Sequence, residues 1–185
     1  MKNLQEFEAL RTFRVARYFH RLASFFGVSV MIIPLTQGKS TVIDDDDWFL
    51  VKDYKWYVMK NHDTFYAASH TRKPNGIWTT TYMHRLLMGN PNSQVDHRNG
   101  NGLYNRRSNL RLCTNQENSY NRHTVRGSSI YKGVCWHKRD KKWESHISIN
   151  RKRKFLGYFN NEVEAAKAYD TAATELYGEF ARTNF

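Results

Sequence analysis

The chain has 185 residues, enough for one domain with a sizeable core or for two small modules. Its 29 basic residues against 17 acidic ones leave a formal net charge of +12, which points to a polyanionic partner, and 15% aromatic residues exclude a disordered basic tail. Cys113 and Cys135 stand far apart without a CxxC pair, which excludes a zinc knuckle and gives no disulfide framework.

Residues 1–30 form an N-terminal extension of unclear role. Arg11, Arg14, Arg17 and Arg21 recur at helical spacing, but apolar residues surround them rather than forming an opposite face. Basic residues followed by the apolar run Leu22–Leu35 raise the question of a signal peptide. The run is too short to span a membrane, no A-x-A site follows, and a globular pattern starts at once, so secretion is not expected.

Residues 31–83 alternate short β-type runs with turns. Thr41-Val-Ile, Lys55-Trp-Tyr-Val-Met, Phe65-Tyr-Ala-Ala and Ile77–Met83 are the predicted strands, and Lys73-Pro-Asn-Gly marks a turn. Asp44–Asp47 precede Trp48-Phe-Leu-Val. Acidic residues in that place predict a helix N-terminus, in preference to a metal site.

The chemistry-bearing stretch is 82–122. Asp96 and His97 end a short apolar-led run, and Asn99-Gly100-Asn101-Gly102 then predicts turns. Asn109 lies twelve residues after His97, and Asn118 twenty-one after it. Residues 114–122 read as a polar helix with Thr114 as N-cap and Glu117 closing a capping box. An ionised Asp96 and the amide oxygen of Asn118 are hard ligands that suit Mg²⁺, with Mn²⁺ as its substitute. Histidine takes a proton from water near neutral pH. Taken singly, each residue reads as a turn or a cap; the order and spacing of all four point to phosphodiester hydrolysis. Asn121, one turn on, is the rival for the last metal position.

This run resembles the HNH endonuclease motif, in the variant of phage and intron-borne homing endonucleases with Asn in the last position. The resemblance implies that His97 is the general base, that Asp96 and Asn118 hold the metal, and that Asn109 pins the loop by hydrogen bonds. It also implies a ββα-metal module over 31–123. His84-Arg85 resembles a His-Arg pair that often precedes the core, and with Arg122 it supplies candidate phosphate contacts. Arg98 and Tyr104 depart from the family pattern, which commonly has an aliphatic residue and an aspartate there. Met31-Ile-Ile-Pro-Leu-Thr-Gln-Gly resembles the start of many phage proteins of this family.

Residues 124–130 read as a polar linker. Tyr131–His137, Trp143–Ile149 and Lys152–Phe159 follow as three predicted strands with basic turns between them. Asn161 caps a helix predicted to run to Tyr177, with Gly178 as its stop. Val163, Ala166, Tyr169, Ala173 and Leu176 form its expected buried stripe.

Tyr131-Lys-Gly-Val, Lys142-Trp143, Phe155-Leu-Gly-Tyr-Phe159, Glu164-Ala-Ala-Lys-Ala-Tyr-Asp170 and Ala181-Arg-Thr-Asn-Phe185 resemble the ethylene-response-factor (AP-two) DNA-binding domain. That resemblance implies a three-stranded antiparallel sheet with one packed helix over 131–185. It also implies that the sheet enters the major groove, a groove that a β-ribbon fits and whose guanine edges Arg or Lys read. Lys132, Trp136, Lys138, Lys141, Lys142, Trp143, Arg151, Arg153 and Phe155 are the candidate DNA contacts, with sheet packing as the competing role of Trp143 and Phe155. Lys132 and Cys135 stand where plant members carry Arg, so the plant recognition sequence is not expected to transfer.

The whole reads as an α+β chain with a Mg²⁺-dependent homing-type DNA endonuclease followed by a targeting domain. It is expected to nick duplex DNA as a monomer, leaving 5′-phosphate and 3′-hydroxyl ends. No membrane and no obligate protein partner are expected, and the expected setting is the cytoplasm of a bacterial host of a phage or mobile element. The competing reading is a DNA-binding regulator with an inactive nuclease module.

Overall fold

The structure is a computed structural model that describes residues 29–61, 64–122 and 127–185. The expectations for residues 1–28 and for residues 124–126 of the linker lie outside the described residues. The fold is mixed α and β with antiparallel sheets, and it divides into two compact units between Leu112 and Cys113.

In the first unit, β1 (Val30–Pro34) and β2 (Ser40–Asp44) form an antiparallel hairpin. A 3₁₀ turn at Asp45–Asp47 leads into the single-turn helix α1 (Trp48–Val51). Strands β3 (Tyr57–Asn61), β4 (Thr64–Arg72) and β5 (Trp78–Tyr82) form an antiparallel sheet in chain order. The short helix α2 (Met83–Leu87) follows at once, then β6 (Gln94–His97), which shares a two-stranded sheet with β7 (Leu110–Cys113). Ile33, Ile43, Val51, Ala67, Met83, Leu87, Val95 and Leu110 make one core. Each element is too short to bury an apolar face alone, so this shared core holds them together.

Three details differ from the sequence reading. Met83 begins a helix instead of ending a strand, and a five-residue helix is too short to show a 3.6-residue period. Strand β1 falls inside the apolar run that raised the signal-peptide question. The acidic residues do precede a helical turn, but neither Asp44 nor Asp47 caps it. Asp44 accepts from Arg106 Nε (2.7 Å) and from the backbone of Arg107 (2.8 Å), and Asp47 accepts from the Arg107 guanidinium (2.7 Å). Those partners lie some sixty residues away, out of reach of any local pattern.

The second unit opens with helix α3 (Asn115–Tyr120), whose Thr114–Glu117 capping box is complete. Strands β8 (Val134–His137), β9 (Lys142–Ile149) and β10 (Lys152–Phe159) then form an antiparallel sheet with β9 central, and helix α4 (Glu162–Tyr177) packs on one face. The Asn161 side chain caps α4 by accepting from the Val163 and Glu164 amides. The buried stripe is Ala165, Ala166, Tyr169, Ala172, Ala173 and Tyr177, so Val163 falls outside it. The alanines let the helix backbone approach the sheet closely. Tyr120 of α3 stacks on Tyr177 at 3.7 Å between ring centres, which ties this helix to the second unit.

Strand β8 starts at Val134, three residues later than expected, because Gly133 takes φ +80° beneath Tyr169. A Cβ there would lie 2.0 Å from Tyr169 Cδ2 and 2.8 Å from the His146 carbonyl oxygen. Gly133→Ala should therefore destabilise the unit by about 3–5 kcal/mol, combining backbone strain with overpacking. Gly178→Ala, at φ +53° with nothing within 4 Å, meets strain alone and should cost about 1–2 kcal/mol. Urea unfolding of the full chain measures both.

Candidate active site and DNA-binding face

In the first unit the site is built at the end of β6, where Val95, Asp96 and His97 are all buried. Arg111 on β7 reaches Asp96 Oδ2 with Nε at 2.9 Å and Nη2 at 2.8 Å. Both side chains are more than nine-tenths buried. Removing one partner of such a pair leaves an uncompensated charge, typically at about 3–5 kcal/mol. Arg111 was not singled out in the sequence, because an arginine in a strand has no distinguishing pattern.

His97 Nε2 lies 2.9 Å from Oδ1 of Asn105, a fully buried residue. The Asn105 amide nitrogen donates to Thr41 Oγ1 (2.8 Å), and that hydroxyl donates to the Leu103 carbonyl (2.8 Å). The hydroxyl has one proton, so it must accept from Asn105; this fixes the orientation of the amide. Its oxygen then faces His97, so Nε2 carries the proton and the lone pair sits on Nδ1. The backbone follows the same path, with Val42 N donating to Leu103 O (3.0 Å) and Asn105 N to Val42 O (2.7 Å). Asn105 is the functional residue that sequence reasoning missed. Its signal was an Asn beside the paired Arg106-Arg107, eight residues after His97.

Asn109 is bonded across the loop. Its side chain accepts from Asn99 N (3.0 Å) and donates to Asn99 Oδ1 (3.0 Å) and Tyr104 O (2.7 Å), while its carbonyl accepts from Arg98 N (2.8 Å). His97 O accepts from Gly100 N, where a φ of +74° closes the turn.

His84 is buried in an aromatic box of Tyr66, Tyr82 and His97, with its ring centre 5.0 Å from that of His97. Its Nδ1 has no hydrogen-bond partner among the described residues. Arg85 is spent on the loop before β6, donating to the carbonyls of Pro91 and Ser93, so it is a structural clamp. Burial, then the neighbouring His97 and Arg85, push the His84 pKa down to about 3. Burial also lowers that of His97, against the opposing pull of the Asn105 hydrogen bond and the Asp96 charge. Both imidazoles are therefore neutral at neutral pH, the state a proton acceptor needs.

In the second unit Asn118 is half-exposed on α3, while Asn121 is buried at its C-cap. Arg122 is exposed.

The sheet register sorts the remaining candidates by face, because strand residues alternate. Val134, Trp136, Trp143, Ser145 and Ile147 share the side covered by α4, and Trp143 packs against Val134, Ala165 and Ala166. Trp136 meets Trp143 edge to face at 5.1 Å, so both tryptophans belong to the helix side. The open side carries Cys135, Glu144, His146, Arg153, Phe155 and Tyr158. Phe155 is 53% exposed there and does not pack under the helix. Lys132 is turned inward, with Nζ donating to Tyr120 O, and burial lowers its pKa to about 8. Lys138, Lys141 and Lys142 are exposed around the β8–β9 turn, and Arg151 is exposed in the β9–β10 turn.

Comparison with known proteins agrees with this division of labour. Residues 89–120 match the HNH endonuclease family, and residues 129–179 match the AP2 domain. An uncharacterized HNH endonuclease of Acanthamoeba polyphaga mimivirus is 34% identical over 155 residues, 81% of this chain and 78% of that protein. The chain belongs to the HNH endonuclease family. Its C-terminal part is 47% identical over 63 residues to APETALA2-like protein 2 of Oryza sativa subsp. indica, covering 33% of this chain and 14% of that protein. It is 44% identical over 62 residues to the AP2-like ethylene-responsive transcription factor ANT of Arabidopsis thaliana, 32% and 11% of the two chains. This HNH protein is thus a nuclease with a DNA-binding domain.

The depressed histidines have a consequence for stability. Between the ordinary value of 6.5 and about 3, an unfolded chain binds a proton that folded His84 does not. Stability is therefore complete above pH 6.5 and falls as pH drops, by up to about 1.4 kcal/mol per pH unit for each such histidine. Urea unfolding at pH 7, 6 and 5 should show this slope, and His84→Phe should remove one histidine's share.

Proposed function

We propose that the chain is a Mg²⁺-dependent homing-type endonuclease that hydrolyses one strand of duplex DNA at a time, in the cytoplasm of the host of a phage or other mobile element. The observation that carries the reading is the buried, neutral His97, held by Asn105 in the tautomer that puts a lone pair on Nδ1, directly beside the carboxylate Asp96. In this mechanism Nδ1 takes a proton from water, whose oxygen attacks phosphorus. The bond from phosphorus to the 3′ oxygen breaks and that oxygen takes a proton from solvent, giving a 5′-phosphate and a 3′-hydroxyl. Asn105 prevents the ring from flipping, and Asn109 keeps the loop that carries Asn105 closed.

The donor set suits a hard divalent ion. Asp96 and Asn118 each offer an oxygen atom, the ligand type that Mg²⁺ takes. Mg²⁺ would supply stabilisation of the charge on the phosphate and the leaving oxygen. These residues and the short strand–loop–strand–helix order from β6 to α3 support the ββα-metal reading.

Recognition is assigned to the open face of the β8–β10 sheet and its basic turns. Lys138, Lys141, Lys142 and Arg151 serve as phosphate clamps, whereas Arg153 and Phe155 face the base edges. The inward turn of Lys132 and the helix-side placement of Trp136 and Trp143 take those three out of this set.

A plasmid-nicking assay separates this reading from a regulator with a silent nuclease. Nicking should appear with Mg²⁺ and vanish with EDTA. His97→Ala should lower the rate by about 10²–10⁴ with duplex affinity nearly unchanged. Asn105→Leu should lower it by at least about tenfold, also without loss of binding. Parental rates in His97→Ala would refute the assignment.

Gel shifts over a salt series test the division on the sheet. Lys141→Ala should weaken binding evenly across sequences and reduce the log–log salt slope by about 0.9. Arg153→Ala should change sequence preference, by about 1–3 kcal/mol if it contacts a guanine.

A further inference from the structure

Cys135 on β8 lies directly opposite Glu144 on β9, and His146 follows two residues later on the same open face. Their ligand atoms, one thiol sulfur, one carboxylate oxygen and one imidazole nitrogen, all lie within 4.8 Å of one another. Three side chains of different chemistry therefore converge on one point, which already holds a positive charge. Arg153 Nη2 sits 2.9 Å from Glu144 Oε1, 2.8 Å from His146 Nδ1 and 3.8 Å from Cys135 Sγ. A guanidinium can only donate, so His146 must present a lone pair at Nδ1, the form in which imidazole ligates a metal.

We propose that Cys135, Glu144 and His146 form a binding site for a zinc-class divalent ion, in which the metal takes the place of the Arg153 guanidinium. A sulfur, a nitrogen and an oxygen ligand suit Zn²⁺, with water in a fourth tetrahedral position. They differ in kind from the all-oxygen set of Asp96 and Asn118, so the two sites select different metals. Arg153 is a weak competitor: its side chain is 54% exposed, and ion pairs at such surfaces contribute little. It also projects from an open strand face, so it can swing away without disturbing the core. Binding releases the thiol proton and frees the guanidinium from the sheet. If this face reads DNA, as proposed above, metal loading changes what Arg153 presents to the duplex.

The test is a Co²⁺ titration of the full chain, followed by the absorption of thiolate-to-cobalt charge transfer, with Zn²⁺ as the displacing ion. The band should appear, saturate at one equivalent and vanish on adding Zn²⁺. Cobalt at an all-oxygen nuclease site gives no such band. Cys135→Ser should abolish the band, and His146→Ala should weaken binding by an order of magnitude or more. Arg153→Ala should tighten binding by up to about fivefold, the worth of a surface ion pair. No band in the parent, or a band that persists in Cys135→Ser and so arises from Cys113, overturns the site. Binding unaffected by His146→Ala overturns it as well. Gel shifts with and without Zn²⁺ address the face itself. A zinc effect lost in Cys135→Ser supports its contact with the duplex. An intact cobalt band with no zinc effect on affinity overturns the DNA-reading role of this face and leaves the metal site standing.

Discussion

The buried amide of Asn105 is the joint on which the nuclease unit turns. An amide without solvent needs every partner it can reach, because an unmet polar group in the interior costs about 1–3 kcal/mol. Asn105 meets that demand by donating to Thr41 on β2 and accepting from His97 at the end of β6. One side chain thus connects the first hairpin, the loop and the candidate base. The arginines beside it extend the connection, since Arg106 and Arg107 are anchored on Asp44 and Asp47. The β1–β2 hairpin and the turn after it therefore act as a base plate for the loop. A histidine held this way loses its freedom to flip, and burial keeps it neutral.

Around that joint the charged groups are arranged in pairs. Asp96 is matched by Arg111 in a buried contact, so its carboxylate is oriented before any ligand arrives. His84 fills the aromatic box beside His97 and stays uncharged, which avoids placing a cation against the candidate base. Such preorganisation lowers the cost of binding and reaction because less has to move when substrate enters. It also explains why so many polar groups are tolerated in a small core.

The second unit solves a different problem with one sheet. Its covered face is apolar and tightly packed, with alanines of α4 against Val134 and Trp143, and its open face carries charge and aromatic edges. The same alternation that builds the core therefore builds the face proposed to bind DNA. The AP2 relatives share this half alone, whereas the mimivirus relative spans most of the chain.

Much of this was legible from sequence. The spacing of His97, Asn109 and Asn118 and the Asn-Gly turns pointed to the nuclease, and the β-type runs and the Asn161-capped helix laid out the second unit. These are local signals: turn preference, capping and periodicity act over a few residues. The tertiary structure alone decided the partners. Asn105 with Thr41, Arg111 with Asp96, and Arg107 with Asp47 join residues fifteen to sixty-four apart. Strand register, which is set by pairing and packing rather than by composition, moved Trp136 and Trp143 to the covered side and left Arg153 on the open one. Sequence by itself determined which chemistry the chain carries, because residue type and spacing set that. Which atom of His97 carries the proton, and which side chains face solvent, depended on contacts that exist only once distant segments have packed.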